Sequence, residues 1–171
     1  MSELFKYHKD PKKTKTLKQG SEKHICQCCK KLTSVYYDGP FYSIIDVSCL
    51  CPECIATGAA ASKYNGTFVG SSDYINDFNK YSQLVHKNPG IISYQNFSWP
   101  AHCNDYCEFI DYVYWDDLVK LNIEKTIIYS EKKCGFSKKT LQEDMVKGGN
   151  IQGYLFKCLN CKQYILMADC A

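Results

Sequence analysis

The spacing of apolar residues predicts helices in four parts of the chain. Residues 55–64 are rich in alanine, and residues 72–86 carry apolar side chains at helical spacing behind Ser72, which favours a helix N-cap. Residues 137–147 begin with a serine and are followed by two glycines, and residues 116–121 carry acids in the first turn of a short helix. The four predicted helices are short, which is typical of a small mixed fold.

β-Branched and aromatic residues predict strands between these helices. Residues 35–45 place such residues on both sides of the turn signal Asp38-Gly39, which predicts a β-hairpin. Residues 154–167 predict a strand, a tight turn at a pair of cysteines, and a second strand. The expected fold class is therefore α+β, with small strands gathered around metal.

Twelve cysteines supply most of the candidate chemistry. Eight of them lie in pairs separated by two or three residues: Cys26 and Cys29, Cys51 and Cys54, Cys103 and Cys107, and Cys158 and Cys161. In a reducing compartment such pairs more often bind metal than form disulfides, and four thiolates favour Zn²⁺ in a closed tetrahedral site. Four pairs predict two structural zinc sites.

The first predicted site consists of Cys26, Cys29, Cys51 and Cys54. The order of the predicted elements is that of a treble-clef zinc site. A cysteine turn (a knuckle) comes first, the predicted hairpin follows, and then a helix whose first turn carries the last two ligands. The free N–H groups at the start of that helix favour thiolates. Cys28 leaves the register of the first pair open, although its use in place of Cys29 implies a strained Cys-x-Cys geometry.

The second predicted site consists of Cys103, Cys107, Cys158 and Cys161. Cys103 and Cys107 have the i, i+4 spacing that places two sulfurs on one face of a helix, and Cys158 and Cys161 lie in the predicted turn between two strands. His102 is an alternative ligand that can replace either helical cysteine, because imidazole also binds zinc. The site is expected to join a helix to a β-knuckle.

Four cysteines lie outside these pairs: Cys28, Cys49, Cys134 and Cys170. Cys28 and Cys49 are near enough to the first site to compete for it. Cys134 and Cys170 are most simply small buried apolar residues, and a redox-active thiol is the alternative.

The positive charge is concentrated at one end of the chain. All 21 basic residues are lysines, and residues 1–31 hold nine lysines against three acids. This pattern predicts a Lys-rich N-terminal arm over residues 1–23. Such an arm can contact nucleic acid, but the absence of arginine favours a solvated arm, because bidentate recognition of guanine and phosphate prefers the guanidinium group.

The sequence also predicts where the protein is found. No apolar run approaches the roughly 18 residues that a membrane helix needs. The first residues lack the apolar stretch of a secretory signal. We therefore expect a cytoplasmic protein with no membrane partner.

The motifs described so far resemble one known family. Three segments carry the resemblance most clearly: Ile25-Cys-Gln-Cys-Cys29, Leu50-Cys-Pro-Glu-Cys-Ile-Ala-Thr-Gly-Ala-Ala60 and His102-Cys-Asn-Asp105. With Tyr154-Leu-Phe-Lys-Cys-Leu-Asn-Cys161 they are similar to the bacterial CbrC proteins, which are associated with tolerance to colicins. The resemblance covers nearly the whole chain, which implies a single domain over residues 24–171 after the Lys-rich arm. It implies a small, cytosolic, cysteine-rich protein with a protective role and no settled biochemical activity.

These observations favour a zinc-binding protein that is not an enzyme. The resemblance implies a protein-interaction module in colicin tolerance or toxin immunity, with a bacterial toxin domain as partner. Residues 94–117 combine eight aromatic residues with acids and contain no lysine, which predicts a surface for a basic toxin. The alternative for this segment is core packing around the second zinc site.

Two other functions stay open from the sequence. One is a nucleic-acid-binding regulator that uses the Lys-rich arm, although a protein with two four-thiolate zinc sites has a net charge near zero. The other is a metal-dependent hydrolase or nuclease. Closed four-ligand sites argue against hydrolysis, since catalytic zinc keeps one position for water.

Overall fold

The structure is a computed structural model that describes residues 4–95, 97–124 and 132–171. The chain divides into two compact units. The first unit comprises Met1–Gly70 with Ile75–Ile92, and the second comprises Ser71–Tyr74 with Ser93–Ala171. Compactness does not show independent folding, so the single domain over residues 24–171 stays a prediction.

The first unit consists of one hairpin and three helices. Strand β1 (Lys18–Ile25) pairs antiparallel with β2 (Leu32–Tyr36). The helices are α1 (Pro52–Ala56), α2 (Ala59–Tyr64) and α3 (Phe78–Lys87). The buried core of this unit includes Phe5, Leu17, Tyr37, Leu50, Ile55 and Phe68.

Residues that were predicted as a Lys-rich arm contribute to this core. Phe5, Tyr7 and His8 are almost completely buried. His8 Nε2 lies 2.8 Å from Thr14 Oγ1, which is itself 3.0 Å from Thr16 Oγ1. The apolar side chains between the lysines attach this segment to the first unit, while lysines such as Lys12 and Lys15 stay exposed.

The predicted hairpin over residues 35–45 is wrong. Its first residues belong to β2, which pairs with β1, an upstream strand that the sequence did not indicate. After β2, Tyr37 forms a single bridge with Leu50, and Tyr42 forms another with Thr67. The first bridge brings the chain back to the end of β2 just before α1 begins, and the second pairs residues on either side of α1 and α2.

Two of the predicted helices have different bounds in the structure. The helix over residues 55–64 is divided into α1 and α2 at Gly58, whose φ of 79° is in the left-handed region that glycine adopts easily. Helix α3 begins at Phe78, not near Ser72, because the Asp77 carboxylate caps it by accepting a hydrogen bond from the Lys80 N–H at 3.1 Å. It ends at Lys87, just before Pro89, as predicted.

The second unit is built on a three-stranded antiparallel sheet. Its elements are β3 (Ala101–His102), β4 (Asp105–Tyr106), β5 (Glu108–Val113), α4 (Trp115–Lys120), α5 (Lys138–Asp144), β6 (Ile151–Lys157) and β7 (Tyr164–Cys170). Strand β6 lies between β5 and β7, and β3 pairs with β4 in a separate short hairpin. The core includes Trp115, Leu118, Leu141, Met145, Leu155 and Leu166.

The α+β fold class is confirmed, as are several elements of the second unit. Helix α5 begins where predicted, with Ser137 Oγ accepting a hydrogen bond from the Thr140 N–H at 3.1 Å. The strand–turn–strand over residues 154–167 is β6 and β7. None of the helices within the described residues is long and apolar enough to cross a membrane.

Candidate metal centres

The first cluster is formed by Cys26, Cys29, Cys51 and Cys54, the four residues of the first predicted site. Their sulfur atoms all lie within 4.8 Å of one another. The sulfurs of Cys26 and Cys54 are 3.9 Å apart, and those of Cys29 and Cys51 are 3.8 Å apart. All four cysteines belong to the first unit. Two distant cysteine pairs therefore meet in a single cluster.

Local structure explains why these sulfurs converge. Cys26 directly follows β1, and Cys29 precedes β2, so the hairpin presents both from its turn. Cys51 is the residue before α1, with Pro52 as the first helical residue, and Cys54 lies in the same helical turn. The Cys51 N–H donates to the Cys26 sulfur at 3.3 Å, which links the two halves of the cluster.

The backbone around the first cluster favours a thiolate at one position. Burial by itself raises the pKa of the Cys26 thiol. Backbone N–H groups of Cys29, Cys51 and Cys28 donate toward its sulfur and outweigh burial, so its pKa falls to about 7. Burial raises the pKa of Cys51 to about 11 and also raises that of Cys54. A metal ion that binds here must displace protons from the remaining thiols.

The second cluster is formed by His102, Cys103, Cys158 and Cys161. Their ligand atoms also lie within 4.8 Å of one another. His102 Nδ1 is 3.3 Å from the sulfur of Cys103 and 3.3 Å from the sulfur of Cys161. All four residues belong to the second unit, so the described part of each unit contains one cluster.

Two turns present the second cluster. Cys158 and Cys161 lie in the turn between β6 and β7, whereas His102 ends β3 and Cys103 begins the turn between β3 and β4. The Asn160 side-chain amide donates to the Cys103 carbonyl at 3.1 Å, which joins the two turns directly. Cys158 is buried, whereas Cys103 and Cys161 are exposed.

Cys107 lies outside the second cluster, and His102, the alternative ligand, takes the fourth position. The prediction of a helix through Cys103 and Cys107 is wrong, because the chain turns sharply at Cys103 and Asn104, with φ values of 53° and 55°. Cys107 follows β4 and is fully buried, with its carbonyl accepting a hydrogen bond from Trp99 Nε1 at 2.9 Å. The sequence signal for this turn is the Asn104-Asp105 pair.

The separations in both clusters fit a tetrahedral metal ion. With Zn–S bonds of about 2.3 Å, the sulfurs of a tetrahedral site lie about 3.8 Å apart, which matches the two separations in the first cluster. With a Zn–N bond of about 2.1 Å, a nitrogen and a sulfur lie about 3.6 Å apart, close to the 3.3 Å found at His102. The donor sets and their spacing suit the same kind of ion.

Comparison with known proteins places the chain in a family. It matches the uncharacterised protein family UPF0167 over residues 3–170. The chain belongs to that family. A UPF0167 protein of Pseudomonas aeruginosa is 30% identical over 171 residues, which cover 93% of this chain and 92% of the relative.

UPF0167 proteins of Mycobacterium bovis and Mycobacterium tuberculosis are each 26% identical over 175 residues, covering 98% of this chain and 92% of each relative. No solved structure matches the chain significantly. None of these relatives carries the CbrC name, so the resemblance to the CbrC proteins stays a prediction. The two clusters of this UPF0167 protein are identified as candidate metal sites from its own geometry.

Besides Cys107, four cysteines of the UPF0167 chain belong to neither cluster. Cys28 lies in the first cysteine turn and is buried, and Cys49 is half-buried close before Cys51. Cys134 and Cys170 are also half-buried. The Cys134 sulfur accepts a hydrogen bond from the Ala168 N–H at 3.2 Å, and burial raises the pKa of this thiol. Cys134 is thus a thiol that packs against strand β7.

The aromatic residues of segment 94–117 are mainly core residues of the second unit; residue 96 lies outside the described part of the chain. Trp99 and Phe109 pack against Phe156 with ring centroids 5.2 Å and 5.3 Å apart. Tyr106 and Trp115 are buried as well. Core packing, the alternative interpretation of this segment, accounts for most of these rings. Two tyrosines of the segment stay exposed, Tyr94 at 61% and Tyr114 at 37%.

Proposed function

We propose that this UPF0167 protein binds two structural Zn²⁺ ions, one at each cluster. The observation that carries the proposal is the pair of sulfur separations in the first cluster, 3.8 and 3.9 Å, which equal the edge of a zinc–thiolate tetrahedron. Thiolate donors favour zinc over the hard cations, which prefer oxygen ligands. The first cluster would bind zinc through four sulfurs and the second through three sulfurs and the His102 imidazole.

The first site is proposed as a treble-clef-like site. A cysteine turn within the β1–β2 hairpin supplies Cys26 and Cys29, and the start of helix α1 supplies Cys51 and Cys54. The free N–H groups of the helix start favour the anionic ligands. The second site differs because its ligands come from the β3–β4 hairpin and from the turn between β6 and β7, with no helix.

The zinc sites are proposed to be structural, and the protein is proposed not to be an enzyme. Four protein ligands complete a tetrahedron and leave no position at which the ion can activate water. Each ion would supply stability that a small unit cannot obtain from buried apolar residues alone. The function of the protein would then be to present a binding surface to a partner.

The proposed partner is a bacterial toxin domain in the cytoplasm, where reducing conditions keep metal-binding thiols free. This follows from the resemblance to the CbrC proteins and their association with colicin tolerance. Carboxylates on α4, including the exposed Asp116, can steer a basic partner.

Binding to purified colicin nuclease domains tests the proposed partner. Asp116→Lys should slow association, and an equal rate for Asp116→Lys and the wild type would contradict the proposal.

Elemental analysis of the purified protein tests the zinc proposal. Two zinc ions per chain are expected. Cys29→Ser and Cys161→Ser should each lower the content to one, because each removes a ligand from a different cluster. Cys49→Ser is the matched control, since Cys49 is a half-buried cysteine near the first cluster that is not one of its members. A wild-type protein with no bound zinc would refute the proposal.

A groove in the first unit favours nucleic-acid binding as the second candidate function. Its volume is about 750 Å³, and Lys12, Lys15 and Lys18 lie along it. His24 and Tyr36, also in its lining, place their rings 4.2 Å apart, which offers a surface on which bases can stack. Against this, Lys18 forms a 2.6 Å ion pair with Asp38.

Fluorescence anisotropy with a labelled single-stranded oligonucleotide tests this candidate. Binding should weaken steeply with salt and be lost in a Lys12→Gln/Lys15→Gln variant. Lys139→Gln/Lys147→Gln is the matched control, because both lysines are exposed in the second unit. Equal affinity of the two double variants would exclude the groove.

A further inference from the structure

The two clusters differ in how far solvent reaches their sulfurs. In the first cluster three of the four cysteines are buried and Cys29 is half-buried. In the second cluster Cys103 and Cys161 are both exposed, and Cys158 alone is buried. Oxidation of cysteine follows exposure and thiolate character. A dissolved oxidant therefore reaches the sulfurs of the second cluster more readily than those of the first.

The two exposed sulfurs are also neighbours. Cys103 and Cys161 are both within 3.3 Å of His102 Nδ1, and their sulfurs lie within 4.8 Å of each other. Each belongs to a short turn, and the two sulfurs must approach each other to close an S–S bond of about 2.05 Å. Neither sulfur is held within a helix, in contrast to Cys54 of the first cluster.

We propose that hydroperoxides convert Cys103 and Cys161 to a disulfide and so expel the metal ion from the second cluster, while the first cluster keeps its ion. This inference rests on the proposed function, because it requires that metal is bound at both clusters. It makes the second cluster an oxidation site and the first a permanent structural centre.

The reaction balances with hydrogen peroxide as the oxidant. One thiolate attacks the O–O bond, which forms a sulfenic acid and releases hydroxide. The second thiolate attacks this sulfur, forms the S–S bond and releases a second hydroxide. Two electrons pass from the two sulfurs to the peroxide. Zn²⁺ keeps its oxidation state and leaves because only His102 and Cys158 remain as ligands.

Loss of this ion would loosen a specific part of the second unit. The turn between β3 and β4 is joined to the turn between β6 and β7 through the cluster and the Asn160 amide bond to the Cys103 carbonyl. Strands β3 and β4 contain only two residues each. Such a short hairpin has little stability of its own, so reversible release of the ion would change the surface around it.

Zinc release from the full-length protein tests the inference. The zinc-loaded, reduced protein is treated with hydrogen peroxide, and released zinc is measured with a chromophoric chelator. One zinc per chain should be released about ten-fold faster than the other. Mass spectrometry of a non-reducing digest should show a Cys103–Cys161 disulfide at that stage, and dithiothreitol with added zinc should restore the original content.

Two matched variants identify the site. Cys103→His replaces one of the two sulfurs with another zinc ligand, so both ions should survive the same peroxide treatment. Cys29→His makes the same change at the most accessible position of the first cluster and should leave the fast release unchanged. If Cys103→His binds only one zinc, disulfide mapping in the wild-type protein decides the question.

The possible results separate this inference from the proposed function. A protein that binds no zinc overturns both. A protein that binds two zinc ions and releases both at one rate, or releases neither, overturns the oxidation site alone. Fast release accompanied by a different disulfide also overturns it.

Discussion

Lys30 and Lys162 occupy the same position in the two Cys-x2-Cys turns, although the turns belong to different units. Each lysine directly follows the second cysteine, and each has a φ of 64°. The Lys30 N–H donates to the Cys26 carbonyl at 2.8 Å, and the Lys162 N–H donates to the Cys158 carbonyl at 3.2 Å. The two turns are therefore built alike, and both place a non-glycine residue in the left-handed region.

Glycine at either lysine position should stabilise the protein. A left-handed conformation costs a residue with a Cβ atom roughly 1–2 kcal/mol, and glycine avoids most of this. Lys30→Gly and Lys162→Gly should each raise the free energy of unfolding by about 1 kcal/mol in urea titrations. Lys31→Gly is the control, because Lys31 has no positive φ and should lose stability. Destabilisation by all three changes would contradict this account of the turns.

Removal of His102 should cost one metal ion, whereas removal of Cys107 should not. His102 Nδ1 lies 3.3 Å from two cluster sulfurs, and Cys107 is a buried residue outside the cluster. Elemental analysis should find one zinc per chain in His102→Ala and two in Cys107→Ala. The reverse result would restore the sequence-based ligand set and refute the geometry of the second cluster.

The protein should lose stability in acid because of His8. Burial lowers the pKa of His8 from its ordinary value of 6.5 to about 3. As the pH falls below 6.5, the unfolded chain takes up a proton at this histidine that the folded chain does not bind. Above pH 6.5 the contribution of neutral His8 to the free energy of unfolding is fully present. This contribution decreases by about 1.4 kcal/mol per pH unit between pH 6.5 and pH 3.

His8→Gln should remove this part of the pH dependence. Urea unfolding between pH 7 and pH 5 measures the slope in both proteins. Acid also weakens metal binding, but it does so in both, so the difference between the slopes reports His8. Equal slopes would show that the pKa of His8 is the same in the folded and the unfolded chain, which contradicts the effect of burial.

The hydrogen bond between Tyr154 and Asp169 should contribute strongly to the second unit. The Tyr154 hydroxyl donates to the buried Asp169 carboxylate at 2.6 Å, and the Gln95 N–H donates to the same carboxylate at 2.8 Å. Burial and this hydrogen bond raise the pKa of Tyr154. Tyr154→Phe leaves a buried carboxylate with one donor fewer and should cost about 1–3 kcal/mol.

Thermal unfolding measures this loss. Tyr74→Phe is the control, because Tyr74 belongs to the same unit and is 87% exposed. A loss in Tyr154→Phe no larger than in Tyr74→Phe would show that the buried carboxylate does not depend on the hydroxyl group.

The first cluster could be predicted from the sequence because its ligands sit in local patterns. Cys26 and Cys29 share one turn, and Cys51 and Cys54 share one helical turn, so each pair fixes its own geometry. The open choice between Cys28 and Cys29 could not be settled from spacing. It depends on how the chain leaves the turn at Lys30.

The second cluster was predicted only in part. Cys103 and Cys107 have helical spacing, but a spacing argument holds only if the segment is helical. Pairing of β3 with β4 makes it a turn and directs His102 into the cluster. The register of strand pairing decides which residues face each other across a turn. Strands as short as β3 and β4 carry too little pattern for this register to be predicted from the sequence.

Strand β1 could not be predicted because it lacks the usual pattern of a strand. Seven of its eight residues are exposed, and the pairing with β2 is irregular between Gln19 and His24. Alternation of buried and exposed residues arises only when one face of a strand packs against a core. Because β1 lacks this pattern, the turn signal at Asp38-Gly39 predicts a hairpin downstream of the one that β1 and β2 form.

X-ray absorption spectroscopy at the zinc edge tests the central claim most directly. Seven sulfurs and one nitrogen shared by two zinc ions are expected, from the three-sulfur and four-sulfur clusters. Zn–S distances should be about 2.3 Å and the nitrogen should lie at about 2.0–2.1 Å. A zinc-loaded protein with oxygen-rich coordination, or sulfurs found as disulfides with no zinc bound, would contradict the account.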